Sequence, residues 1–308
     1  MTPVVQHILV PLDGSTLAEC VVPAAAALAQ AFAADVTLFH VMEVRPPATV
    51  HGQPHLTDPG QAQAYLERMR GSPIFRDRNV KVHVHRPPTG DVADSLMAHA
   101  QELEVDLVVL ATHGNGGLRD LLFGSIAQQA LQRGPTPILR VIPTPQGKAP
   151  PFDPHVILVP LDGATAHEPA LPVAARLARA WGATVVLVHA VPTPQTLSGH
   201  QAAAGTLLPM ATRAMLELTE KGATEYLRKM AQELTQEGVS VRWSVGRGAA
   251  ASVVLQTAER EKADLIVLAT HALGALESFW AKSLTPRLMR GLAQPVLLVR
   301  AEGEHPSR

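Results

Sequence analysis

Residues 8–15, ILVPLDGS, return as ILVPLDGA at 157–164, and residues 107–117, LVVLATHGNGG, return as LIVLATHALGA at 265–275. Two landmarks recurring in the same order make the chain a tandem repeat of one domain. That limits the architecture more than any other feature. At 308 residues, each copy has enough length to bury its own core. The expected division is a first domain over 1–143, a proline-rich linker at 144–154, a second domain over 155–302 and a tail at 303–308.

Each copy alternates short apolar runs with helical patterns. HILVPLDG (7–14) reads as a buried strand ending in a glycine turn. Ser15 is placed to cap the alanine-rich helix that follows, and Pro23 to kink or restart it. Further strands are expected at 35–43, 80–86, 106–114 and 136–142, with helices near 60–72, from 91 onward and at 124–133. A loop rich in Pro, His and Gly fills 45–60. Strands apolar on both faces, alternating with helices, indicate an α/β fold with a parallel sheet covered on both sides. In such sheets ligands bind beyond the carboxyl ends of the strands, at a topological switch point. Asp13, Val41 and His113-Gly114 fall at or just past such ends.

Composition excludes several classes. With 26 basic and 27 acidic residues the formal charge is -1, which gives no electrostatic footprint for nucleic acid. No apolar run is long enough to span a bilayer, so no membrane partner is expected. The N-terminal MTPVVQHILV lacks a signal-peptide pattern, and the single cysteine, Cys20, suits a reducing compartment; the expected location is cytoplasmic. Cys20 reads as helix packing rather than as a nucleophile.

The segment ATHGNGGLRDLLFGSIAQQAL (111–131) carries the phosphate-binding signal. Glycines at 114 and 124 remove side chains that would block an anion from backbone N–H groups, and a helix N-terminus supplies unpaired donors. Ser125 adds a hydroxyl. Asp13 has two readings: a carboxylate for a ribose or adenine donor, or a cap for the Asp-Gly turn. His113 and Arg119 lie beside the same loop, with a backbone-bonded histidine and a solvated arginine as the alternatives.

The chain resembles the universal stress protein family over essentially its full length. The family's nucleotide-binding members carry Gly, two residues, Gly, nine residues, then Gly and Ser or Thr. Here Gly114 and Gly124-Ser125 match, while Ala111 stands in for the first glycine. The resemblance implies two Rossmann-like domains of the adenine nucleotide alpha hydrolase type, each a five-stranded sheet of order 3-2-1-4-5. It implies ATP at the carboxyl edge, accompanied by Mg2+, with Asp13 and Val41 on the adenosine and Gly114, Gly124, Ser125 and Ile126 on the phosphates. Pro11, Leu12, Ala111 and His113 complete the expected site.

In the second copy the spacing survives without the chemistry: Ala272 replaces Gly114, Lys282 replaces Gly124 and Ala164 replaces Ser15. One working site is therefore expected. The family commonly pairs through the fifth strand, so TPILRVI (136–142) and QPVLLVR (ending at Arg300) are expected to pair, making the chain its own dimer, with a further homodimer and an unidentified regulatory protein as additional partners. The 14 histidines raise a metal site, and His83 and His85 share a strand face, but zinc needs three or four converging ligands. The leading expectation is a nucleotide-responsive stress module; the rivals are a slow ATPase and a chaperone-like protein that binds no nucleotide.

Overall fold

A computed structural model of the chain describes residues 5–43, 48–86, 92–112, 130, 136–144, 148–197, 203, 207–270 and 284–301. Two compact units emerge: unit 1 comprises Met1–Asp153, Ala272–Leu276 and Ala293–Arg300, and unit 2 comprises Pro154–His271, Glu277–Leu292 and Ala301–Arg308.

Unit 1 runs β1 (His7–Pro11), α1 (Thr16–Glu19), α2 (Val22–Phe32), β2 (Asp35–Val41), β3 (Thr49–Val50), β4 (Gln53–Pro54), α3 (Pro59–Arg70), β5 (Val80–His85), α4 (Val92–Glu102), β6 (Leu107–Ala111) and β7 (Ile138–Val141). The parallel strands lie in the order β7-β6-β1-β2-β5, which is the expected 3-2-1-4-5 arrangement read from its far edge. Ile8, Leu9, Val10, Leu38, Phe39, Val108 and Ile138 are fully or almost fully enclosed, as strands covered by helices on both faces must be. The alanines of α2 (Ala24, Ala25 and Ala29) are buried and let that helix pack without bulk. Pro23 restarts the helix: α1 stops at Glu19, and Pro23 occupies the first turn of α2, where its missing N–H costs nothing.

Unit 2 repeats the scheme with β8 (Val156–Pro160), α5 (Ala170–Trp181), β9 (Thr184–Val191), α6 (Pro209–Gln236), β10 (Ser240–Arg247), α7 (Ala250–Arg260), β11 (Leu265–Thr270) and α8 (Leu284–Gly291). Its strands lie in the order β10-β9-β8-β11. The longer stretch of the second copy folds into the 28-residue α6, which leaves Met210, Met215 and Leu218 exposed.

The last strand, β12 (Val296–Arg300), belongs to the sheet of unit 1. It pairs antiparallel with β7, Val296 opposite Arg140 and Leu298 opposite Ile138, so the two fifth strands meet as their edge-strand character suggested.

Both copies start their first strand with the same device. The Asp106 carboxylate accepts from the backbone N–H of Gln6 at 2.7 Å and of His7 at 2.9 Å, and Asp264 accepts from His155 and Val156, each at 2.9 Å. Each aspartate thereby anchors strand one against the start of strand four.

Candidate functional site

In unit 1 the chain leaves β1 for β2 and β5 on one side and returns to β6 and β7 on the other. The switch point therefore lies between the ends of β1 and β6, where a crevice forms in sheets of this kind. Pro11 closes β1, Val41 closes β2 and Ala111 closes β6, so three sequence-distant segments reach the same edge. Leu12 is buried and donates its N–H to the Phe39 carbonyl at 2.8 Å, holding the exit of β1 against β2.

Asp13 follows directly. Its Oδ1 accepts from the Ser15 amide at 2.8 Å and from the Ser15 hydroxyl at 2.6 Å. Ser15 is itself fully buried and accepts from the Ala18 amide at 3.1 Å, the N-cap that its position in the sequence suggested. Gly14 between them sits at φ +90°, and a Cβ there would lie 2.8 Å from Leu56 Cδ1. The positive φ calls for glycine, and a methyl group there would have to push the end of the Leu56 side chain aside. The other Asp13 oxygen, Oδ2, lies 3.4 Å from His51 Nε2.

His51 belongs to a small hairpin that the sequence suggested only as a loop. β3 and β4 pair antiparallel through a turn in which His51 (φ 50°) and Gly52 (φ 77°) both take left-handed backbone. Gln53 Oε1 accepts from the Thr16 amide at 2.6 Å. Together with Leu56 over Gly14, these contacts lay the hairpin across the Asp13-Gly14-Ser15 turn. Below it, buried His40 donates from Nδ1 to the Leu12 carbonyl at 2.7 Å; burial holds its pKa below the ordinary value, so the ring is neutral.

The counterpart in unit 2 is built differently. Asp162 Oδ1 accepts from the Ala164 amide at 3.0 Å, but Ala164 has no hydroxyl to cap a helix, and the chain makes a short 3-10 turn at Thr165–His167 instead of an α-helix. His167 fills the gap, its Nδ1 2.9 Å from both Asp162 oxygens. That hydrogen bond raises the His167 pKa, against the opposing effect of burial. Gly163 at φ +83° repeats the turn of Gly14.

A second repeated pair lies beside each turn. Glu19 and Glu168 stand six residues after Asp13 and Asp162, and each faces a tyrosine of the helix after the second strand. Tyr226 donates to Glu168 Oε1 at 3.2 Å. Tyr65 is buried, and burial together with the Glu19 charge pushes its phenol well above the ordinary range. The matched Asp-to-Glu spacing was available in the sequence; the tyrosines were hidden by helices of unequal length.

His113, Gly114, Gly124, Ser125 and Ile126, like Ala272 and Lys282 in the second copy, lie outside the described residues. Pro11, Leu12, Asp13, Val41 and Ala111 share one edge. Cys20 is buried and its thiol is pushed up to about 12 by that burial, which suits packing and not nucleophilic chemistry at neutral pH. Among the described residues no helix is long and apolar enough to cross a membrane.

Comparison with known proteins adds the lineage. The family model described as "Universal stress protein family" matches residues 5–141 and again 154–300. A universal stress protein of Thermus aquaticus, described by its place in the 3′ region of a QAH/OAS sulfhydrylase, is 36% identical over 146 residues, covering 47% of this chain and 97% of its own. A universal stress protein of Methanocaldococcus jannaschii is 26% identical over 144 residues, covering 47% of this chain and 81% of its own. Among solved structures, a universal stress protein from Archaeoglobus fulgidus superposes with a TM-score of 0.65 at 15% identity, covering 96% of each chain. A functionally unknown protein from Pseudomonas aeruginosa PAO1 gives 0.67 at 18% identity, covering 96% of this chain and 93% of its own. At such identities the structural likeness speaks to the fold.

Proposed function

The chain belongs to the universal stress protein family in both of its repeats, and from that premise we propose that it is a cytoplasmic ATP-binding stress protein with one working nucleotide site, in the first repeat. The observation that carries this reading is the meeting of the ends of β1, β2 and β6 at the switch point, with Asp13 and Val41 on that edge. A nucleoside lying there donates a ribose hydroxyl to Asp13 Oδ2 and takes the place of His51. The phosphates run toward Gly114, which follows His113 in the chain, and toward Gly124, Ser125 and Ile126, whose backbone N–H groups meet their charge. Mg2+ travels with the phosphate oxygens, which supply most of its ligands. ATP then biases the hairpin of residues 49–54, by as much as its affinity differs between the two hairpin positions. In the second repeat Lys282 and Ala272 occupy the glycine positions, and Asp162 is engaged by His167.

One observation favours a second reading, in which the chain binds partners without nucleotide: Asp13 already accepts two hydrogen bonds from Ser15, the role of a cap. Calorimetric titration of the nucleotide-stripped chain with Mg-ATP separates the two. One ATP per chain, lost in Gly124→Lys, supports the first reading. Two per chain overturns the single site, and no binding gives the second reading precedence.

A further inference from the structure

His83 and His85 project from the same face of β5, the edge strand of unit 1, and α4 brings His99 to them. One donor nitrogen from each lies within 4.8 Å of the other two. The ring centroids of His85 and His99 are 4.1 Å apart, those of His83 and His99 5.1 Å, and Phe39 stacks against the group from β2. We propose that His83, His85 and His99 form a binding site for a divalent transition-metal ion of the zinc class.

Two features support a ligand role over simple packing. His99 Nδ1 donates to the Ser95 carbonyl at 2.9 Å, which fixes the tautomer and leaves Nε2 as a lone-pair donor, the backing that metal-bound histidines normally have. Glu102 Oε2 lies 3.9 Å from that Nε2, so a carboxylate on the next turn stands ready as a fourth ligand, with water as the alternative. Tetrahedral zinc with bonds of about 2.0–2.1 Å sets its nitrogens about 3.4 Å apart. Modest side-chain rotation closes the difference.

The second repeat is the internal control. By strand register and by distance from the anchoring aspartate, the equivalent positions are Ser244, Gly246 and Thr257. The same fold forms there without a histidine, so the scaffold does not need the three rings. Imidazole clusters select zinc, copper, nickel or cobalt over magnesium and calcium, which sets this site apart from the cation that accompanies ATP.

The test uses the full chain, stripped with chelator, titrated with ZnCl2 and assayed for retained metal after gel filtration. The expected result is one zinc per chain and a rise in Tm, because an ion bound to the native state stabilises it. The triple substitution His83→Ser, His85→Gly, His99→Thr, which copies the second repeat, is expected to lose the zinc, while His51→Gln with His155→Gln keeps it. Co2+ on the wild-type chain gives a readout that needs no variant: a strong visible absorption band marks four-coordinate binding by imidazole. Failure of wild type to retain zinc, equal zinc in the single variant His99→Gln, or a six-coordinate cobalt spectrum would each overturn the proposal.

Discussion

His167 Nδ1 lies 2.9 Å from the Asp162 carboxylate, a pairing absent from the first repeat, where Ser15 fills the corresponding place on Asp13. The pair is sensitive to pH from both sides. Burial raises the Asp162 pKa, but the hydrogen bonds from His167 and the Ala164 amide outweigh it and hold the group below its ordinary 3.8. His167 is held above its ordinary 6.5. The depressed carboxylate contributes stability above 3.8 that is lost as pH falls through its folded value; the raised imidazole contributes below 6.5 and is lost as pH rises through its folded value. In urea melts the gap between wild type and His167→Gln is therefore expected to be widest from about pH 4 to about pH 6.5. Its size is about 0.5–1 kcal/mol, because Asp162 is more than half exposed. A gap independent of pH would refute the pairing.

The strand anchors should matter more. Asp106→Ala removes the acceptor for two N–H groups at the start of β1, at an expected cost of about 1–3 kcal/mol. Asp264→Ala is expected to do the same in unit 2. Hydrogen exchange at Gln6 and His7 supplies the local readout, and unchanged protection there in Asp106→Ala would contradict the anchoring role.

Ala33 ends α2 at φ 52°, while Gly182 ends α5 at φ 64°, each 20 residues past its aspartate. Alanine is strained in that region and glycine is not. Ala33→Gly is expected to stabilise the protein by roughly 0.5–1 kcal/mol, and Gly182→Ala to destabilise it by about 1 kcal/mol. Thermal melts of the two single variants check the opposite signs.

If the nucleoside displaces His51 from Asp13, then His51→Ala is expected to tighten ATP binding by about two- to fivefold, the factor that a surface contact of about 0.5–1 kcal/mol would withhold. Weaker binding in the variant would instead place His51 among the groups that hold the ligand.

Much of this was legible in advance because strands and turns leave local traces. ILVPLDG and LVVLAT carry β-branched runs ending in turn residues, so their strands and their shared edge could be read directly. Ser15 and Pro23 act within one helical turn, and both do what their chemistry suggests. The hairpin at 49–54 escaped notice because its strands are two residues long, too short for any alternation to show. His99 was missed for a different reason. Alternation along β5 reveals that His83 and His85 share a face, but nothing in the spacing says which helix residue will face them. Likewise, His167 could not be seen as the replacement for Ser15, because it reaches Asp162 from a turn whose 3-10 form follows from the lost cap itself.

The pairing of β7 with β12 joins residues separated by about half the chain, since Arg140 meets Val296. During synthesis, the sheet of unit 1 thus waits for the whole second repeat to leave the ribosome before its outer edge is covered. Non-local closure of this kind is slow, and an uncovered strand is an invitation to mispairing in the interval. A nascent chain stalled within the second repeat carries a first unit that is otherwise ready to fold but still unsealed, and chaperones that shield strand edges have a defined window in which to act on it.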